Sequence, residues 1–157
     1  MNPLDPILTV FAGMAVVMTT AWIVQLGTRN GGWVDVFWTF GAGAACVTAA
    51  LWPAPAEDQA RQYLVAGLAA IWSLRLGSYI AHRVAKDKHE DRRYSGLRTE
   101  WGGAFQRNMY VLCIVQAPAA ALLALSGFVA GHGGTDGLGL RDALGAAMLV
   151  IGIMGEG

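Results

Sequence analysis

Charged residues are scarce in this sequence. They make up 14% of its 157 residues, against about a quarter in a soluble domain. With 55% hydrophobic residues and a mean hydropathy of +0.43, the deficit excludes an ordinary soluble domain and points to a membrane protein. Neither sign of charge is in excess, since 11 Lys and Arg balance 11 Asp and Glu. That balance argues against a nucleic-acid partner, which calls for a basic surplus. Cysteine is rare too. Cys46 and Cys113 lie in apolar stretches, and the topology below separates them in depth by roughly 10 Å, too far for a disulfide. No CxxC or Cys/His spacing suggests a metal, so no metal site is expected and the cysteines read as packing residues. There is no GxGxxG after a strand and no Walker pattern, so any nucleotide site is neither Rossmann nor P-loop. The N-terminus has no basic n-region, and its apolar run is too long for a signal peptide, so it reads as a retained first span.

What is present is a series of long apolar runs. Between Asp5 and Arg29 no residue is charged, which exceeds the roughly 20 residues needed to cross a bilayer core. Pro3 and Pro6 suit a first helical turn, and Gly27 with Asn30-Gly31-Gly32 ends the span. The expected fold class is all-α, a polytopic transmembrane helix bundle with full spans at about 6–27, 33–52, 62–83 and 108–130. Pro53 and Pro55 close the second span, and Pro118 implies a kink in the fourth. Gly41 and Ala45 form a small-xxx-small pair for close helix approach. Ala70, Ser73, Gly77 and Ala81 make a small-residue stripe on the third span. On its other side Trp72, Arg75, Tyr79 and His82 recur at three- and four-residue steps. Gln116, inside the fourth span, is expected to hydrogen-bond another helix. A last apolar run, about 142–155, covers only about 20 Å as a helix. It reads as a truncated fifth span, with the chain cut inside or just after it.

The basic residues gather between Arg75 and Arg107, most of them in a polar loop at about 84–107. By the positive-inside rule that loop is cytoplasmic. The Arg29 loop is then cytoplasmic as well, and the Glu57-Asp58-Arg61 loop and the N-terminus are outside. The protein is expected in a membrane as a multi-pass chain (the inner membrane, if bacterial).

Two sets of residues could carry chemistry. Asp35 and Arg75 fall in the same leaflet, where ionisable groups usually pair or line a pathway. One reading is a polar pocket opening to the cytoplasm, walled by Asp35, Trp38, Arg75, Tyr79 and His82. The other has Arg75 snorkelling and Asp35 merely interfacial. The second set is Asp-Arg-Arg-Tyr-Ser-Gly-Leu-Arg, starting at Asp91. Arg92 and Arg93 can grip phosphate bidentately and Tyr94 adds a ring face and a hydroxyl. A nucleotide phosphate or an anionic lipid head group fits equally well, and a solvated loop that sets orientation is the bland alternative. Asp87 to Glu90, and Glu100 with Trp101 and Gly102, read as solvated helix ends. His132 reads as a loop residue.

Asp35-Val-Phe-Trp38, Trp72-Ser-Leu-Arg75-Leu-Gly-Ser-Tyr79, Arg83, Asp91-Arg92-Arg93-Tyr94, Trp101-Gly102 and Phe105-Gln106 together resemble the DUF1295 family, which belongs with the steroid 5-alpha-reductase-like membrane reductases. The resemblance covers nearly the whole chain. It implies an oxidoreductase that reduces a carbon–carbon double bond of a lipid or steroid-like substrate, with NADPH arriving from the cytoplasmic side. Carried onto this sequence, Asp35 and Tyr79 would polarise the substrate or transfer a proton, and Arg75, Arg92, Arg93 and Tyr94 would help hold cofactor phosphate. The sequence departs from that pattern in lacking the Arg-Tyr-Ser-Arg-His-Pro-Asn-Tyr-like motif of the family's C-terminal half. It is therefore expected to be an N-terminal portion that neither binds NADPH tightly nor turns over alone. The alternatives are a membrane methyltransferase of the isoprenylcysteine carboxyl type and a non-catalytic membrane subunit binding anionic lipid.

Overall fold

The computed structural model describes residues 4–53, 59–87, 89–133 and 137–155, and among these every element is helical. Helix α1 is Leu4–Thr28, α2 Gly32–Ala50, α3 Gln59–Lys86, α4 Arg92–Trp101, α5 Phe105–His132 and α6 Leu140–Gly155. A 3-10 turn, Gly102–Ala104, joins α4 to α5. Four helical stretches are long and apolar enough to cross a membrane: α1, α2, α3 and the run Arg92–His132, whose apolar part is α5. The chain is an integral membrane protein of the all-α class. At 16 residues α6 is shorter than these. Pro3, Pro55, Glu57 and Asp58, which figured in the expected loops and spans, lie outside the described residues.

Helix α2 is the central element, packed against α1, α3 and α5. Its small residues permit this. A Cβ on Gly41 would come within 2.9 Å of the Met14 sulfur of α1, and one on Gly43 within 2.1 Å of Ser73 of α3. On the third side the small residues belong to α5. A Cβ on Gly127 or Gly131 would approach the Cys46 or Ala50 carbonyl of α2 to 3.4 or 3.1 Å. Helices in lipid gain little from burying apolar surface, so close backbone approach has to supply their attraction. Ser73 Oγ adds one hydrogen bond, donating to the Thr39 carbonyl at 3.1 Å.

These contacts fix an antiparallel register in which Gly32 meets Val84, Phe40 meets Gly77 and Gly43 meets Ser73. Met14, Met18 and Ala21 of α1 and Met109, Cys113, Ala117, Ala120 and Ala124 of α5 fill the core beside α2. Cys46 and Cys113 are both buried and unbridged. Leu8, Val16, Ile23, Val111, Val115, Leu122 and Val129 face outward, as suits lipid-facing surface.

Three expectations need correction. The polar segment is not a plain loop, because α4 forms within it. Gln116 Nε2 donates to the Leu112 carbonyl of its own helix at 3.2 Å, which needs no partner helix. His132 is the last residue of α5 and stacks on Phe128 with ring centroids 4.3 Å apart. Its Nε2 lies 2.8 Å from Gln62 Nε2 and 3.0 Å from the Trp52 carbonyl, so it pins the end of α5 to α3 and to the segment that follows α2. Pro118 lies inside α5, which is helical on both sides of it.

Opposite signs are expected for two glycine substitutions. Gly43→Leu should destabilise the bundle by about 1–3 kcal/mol, the range for overpacking a tight contact. Gly67→Ala, where a Cβ meets nothing within 4 Å, should be neutral or stabilise by up to about 1 kcal/mol. Thermal unfolding of the detergent-solubilised protein measures both.

Candidate functional site

The basic end of the bundle is where polar side chains converge. The turn between α1 and α2 leaves backbone donors exposed, and side chains satisfy them. Asn30 Oδ1 accepts from the Gly32 N–H at 2.9 Å, and Glu90 Oε1 accepts from the Gly31 N–H at 2.8 Å. Glu90 also receives a two-pronged hydrogen bond from Arg98, Nε at 3.0 Å and one terminal nitrogen at 2.9 Å. The hydrogen bond to Glu90 raises the Arg98 pKa further above its ordinary value. The Arg98 guanidinium lies 4.1 Å over the Phe105 ring, so one side chain ties α4 to the start of α5.

Helix α4 begins where Asp91 caps it, its carboxylate accepting from the Arg93 N–H at 2.9 Å. Asp is a favoured N-cap because its oxygen satisfies a helix donor that has no intrahelical partner. Asp91 also lies 3.6 Å from Arg83 of α3. From this start Tyr94 turns inward. It is 3% exposed and is the buried residue of α4. A Cβ on Gly31 would come within 2.4–2.7 Å of its ring atoms, so the close seat requires glycine there.

Tyr94 Oη donates to Asp35 Oδ1 at 2.9 Å. The Arg93 guanidinium hydrogen-bonds the other carboxylate oxygen, Asp35 Oδ2, and also lies 4.7 Å over the Tyr94 ring. Asp35 sits one turn inside α2, its side chain 24% exposed, with Arg93 60% exposed above it. The site is therefore half-dry. Burial first, and then the Asp35 charge, raise the Tyr94 phenol above its usual pKa. At neutral pH Tyr94 keeps its proton and points it at the carboxylate. Also in this half of the bundle are buried polar atoms without a hydrogen-bond partner among the described residues: the side-chain oxygen and nitrogen of Gln25, Trp38 Nε1 and Gln106 Oε1. Trp22 Nε1 donates to the Gln106 carbonyl at 3.2 Å.

Of the residues singled out in the sequence, the fold brings together Asp35, Arg93 and Tyr94. Arg92 is exposed on α4 beside them, with no ion pair among the described residues. Arg75, Tyr79 and His82 are exposed on α3 and do not join Asp35. The five-residue pocket wall is not formed, for a simple reason. Helix α2 packs on the Ser73–Gly77 face of α3, and Arg75 and Tyr79 point away from that face. Register separates them as well, since Asp35 lies level with Ala81, about 9 Å along the axis from Arg75.

Glu90, read above as a solvated helix end, is instead the acid that joins α4 to the α1–α2 turn. Its role depends on a contact 59 residues away in sequence, which no local pattern shows. Asp91 reads as part of a loop in the sequence, although Asp directly before Arg-Arg-Tyr-Ser is a helix-start signal that could have revealed the cap. Gln25, a lone amide in an uncharged run, was visible and passed over.

Loss of the Glu90 network should loosen α4. Glu90→Ala removes a charged hydrogen-bond set worth about 1.5–3 kcal/mol. Tryptic cleavage at Arg92, Arg93 and Arg98 in detergent should then speed up by about tenfold or more, as read by mass spectrometry of the fragments. Arg107, at the start of the lipid-spanning part of α5, serves as the reference site.

A family model described as "Protein of unknown function (DUF1295)" matches residues 21–157. No curated protein and no solved structure matches the chain. The family match takes in α2 to α6 together with the end of α1, and with it every residue of the Asp35–Arg93–Tyr94 constellation. This chain belongs to the DUF1295 family.

Proposed function

We propose that this protein is a membrane oxidoreductase that reduces a carbon–carbon double bond of a lipid-like substrate, using NADPH at the cytoplasmic end of the bundle. One observation carries the reading: a buried tyrosine hydroxyl hydrogen-bonded to a carboxylate that also pairs with an arginine, at the end where the basic residues gather. The resemblance to the steroid 5-alpha-reductase-like reductases supplies the reaction class. Bound NADPH would supply a hydride to one carbon of the double bond, and the protein must then deliver a proton to the other.

The residues present suit the proton better than the cofactor. Tyr94 Oη bears a proton and Asp35 can take it up or return it, in a setting where burial favours the neutral phenol. Arg93 holds Asp35 in position and balances its charge. For a cofactor phosphate the supply of cations is thin. Arg93 is engaged by Asp35 and Arg98 by Glu90, so of the three arginines of α4 it is Arg92 that can grip one phosphate edge. Arg75 and Tyr79, on the far face of α3, serve this reading only through an element that covers that face.

Membranes from cells expressing the protein from its own gene provide the test, with NADPH and a panel of enone lipids followed by mass spectrometry. Tyr94→Phe should lower the rate of double-bond reduction about 100-fold or more, the usual worth of a positioned proton donor. Arg92→Ala should raise the KM for NADPH about tenfold with kcat nearly kept. Full activity in Tyr94→Phe, or no gene-dependent reduction of any enone, contradicts the reading.

A further inference from the structure

Helix α3 has no acidic residue in its 28, and most of its polar groups at the basic end share one face. Arg75, Tyr79, His82 and Lys86 follow one another at steps of four, three and four residues. At 3.6 residues per turn they fall within about 60° of each other. All four are exposed. Ser73, Gly77 and Val84, which meet α2, stand about 160–180° round the helix from Arg75. The stripe therefore looks away from the α2 contact.

This face is cationic and without a partner. None of the four side chains makes a hydrogen bond or ion pair among the described residues. Three acids of this end are committed elsewhere, Asp35 to Arg93 and Tyr94, Glu90 to Arg98 and Asp91 to Arg83. Asp87 and Glu100 are exposed outside the stripe. An arginine within a span calls for an anionic or polar partner, and here that partner has to come from the lipid side.

The levels fit a lipid. A tyrosine ring with one wet end settles at the head-group level of a membrane, and Tyr79 is exposed on this face. Arg75 lies one turn deeper, about 6 Å, a height its long stem can span. Lys86 lies about 10 Å to the other side, with His82 between. Below Arg75 the surface turns apolar, with Ile71 and Leu74 both exposed.

We propose that this face of α3 seats one anionic phospholipid from the leaflet at the basic end. Its phosphate lies between Arg75 and Lys86, with the Tyr79 hydroxyl and the His82 ring as further donors. One acyl chain runs along Ile71 and Leu74. Charge complementarity selects this occupant. A zwitterionic lipid brings a cation of its own to the stripe, and a second copy docked by the same face sets like charges against each other. The site does not rest on the reductase reading, and it gives Arg75 a lipid phosphate in place of a cofactor phosphate.

Native mass spectrometry of the detergent-solubilised protein, with phosphatidylglycerol or phosphatidylcholine added, tests the site. The wild type should retain one phosphatidylglycerol about tenfold or more tightly than phosphatidylcholine. Arg75→Gln and Lys86→Gln should each weaken phosphatidylglycerol about fivefold and leave phosphatidylcholine unchanged. Arg75→Lys, which keeps the charge, should stay within about threefold of wild type. Arg107→Gln removes an exposed cation at the same end, on α5, and should change neither lipid. Unfolding temperatures in phosphatidylcholine nanodiscs should match for all four variants, because the stripe makes no contact that folding needs. Equal retention of the two lipids by the wild type overturns the site, as does Arg75→Gln binding phosphatidylglycerol like the wild type or no worse than Arg107→Gln. A dimer that Arg75→Gln dissolves overturns it too, by putting a second copy on this face.

Discussion

Close approach of helices around α2 is the constraint from which the rest of this structure follows. Within a bilayer the apolar side chains gain as much from lipid as from each other, so packing has to come from backbones that nearly touch. Gly41 and Gly43 of α2, and Gly127 and Gly131 of α5, provide that contact on three sides of one helix. A side effect is exact register, because small residues mesh at one offset and clash at others. The register places Gly31 under Tyr94 and Asp35 within reach of both Tyr94 and Arg93. The side-chain geometry at the basic end thus depends on glycines more than a turn deeper in the bundle.

The two ends of the bundle are closed by different means. At the basic end, Glu90 and Asp35 reach from outside and inside to hold α4 across the helix ends. Each carboxylate accepts from an arginine and from a second donor, the Gly31 amide for Glu90 and the Tyr94 hydroxyl for Asp35. Both are partly shielded from solvent, so neither resembles an exposed surface ion pair of small worth. At the other end Arg61 binds Asp142 and the Gly133 and Gly137 carbonyls, and Gln62 and His132 meet beside it. This is a fastening, with donors matched to carbonyls. The Asp35 end differs in holding a titratable hydroxyl against a carboxylate, near buried amide and indole groups that have no hydrogen-bond partner among the described residues.

The spans were legible because their signal is long and one-dimensional: no charge interrupts Asp5 to Arg29, and Pro and Gly punctuate the rest. The small face of α3 was legible for the same reason, and Ser73 and Gly77 do face α2. Harder to read was α4, whose polar composition carries no apolar period, although Asp91 marked its start. The candidate site was half visible. Asp35, Arg93 and Tyr94 were each singled out, but Asp35 was grouped with Arg75 and Tyr79 because depth alone was used. Depth says nothing about which way a helix is turned. Only the identity of the face that packs on α2 separates Tyr94, inside, from Tyr79, outside. Glu90 needed a contact distant in sequence, and Gln116 was given a partner helix where its own carbonyl ladder sufficed.

Asp35, from inside the bundle, holds α4 over the basic end. Hydrogen–deuterium exchange of the protein in lipid nanodiscs, wild type against Asp35→Asn, tests it most directly. Slow exchange is expected across residues 92–99 in the wild type. In Asp35→Asn that segment and the α1–α2 turn should speed up together, with the middle of α2 unchanged. Equal protection of residues 92–99 in both proteins would contradict it.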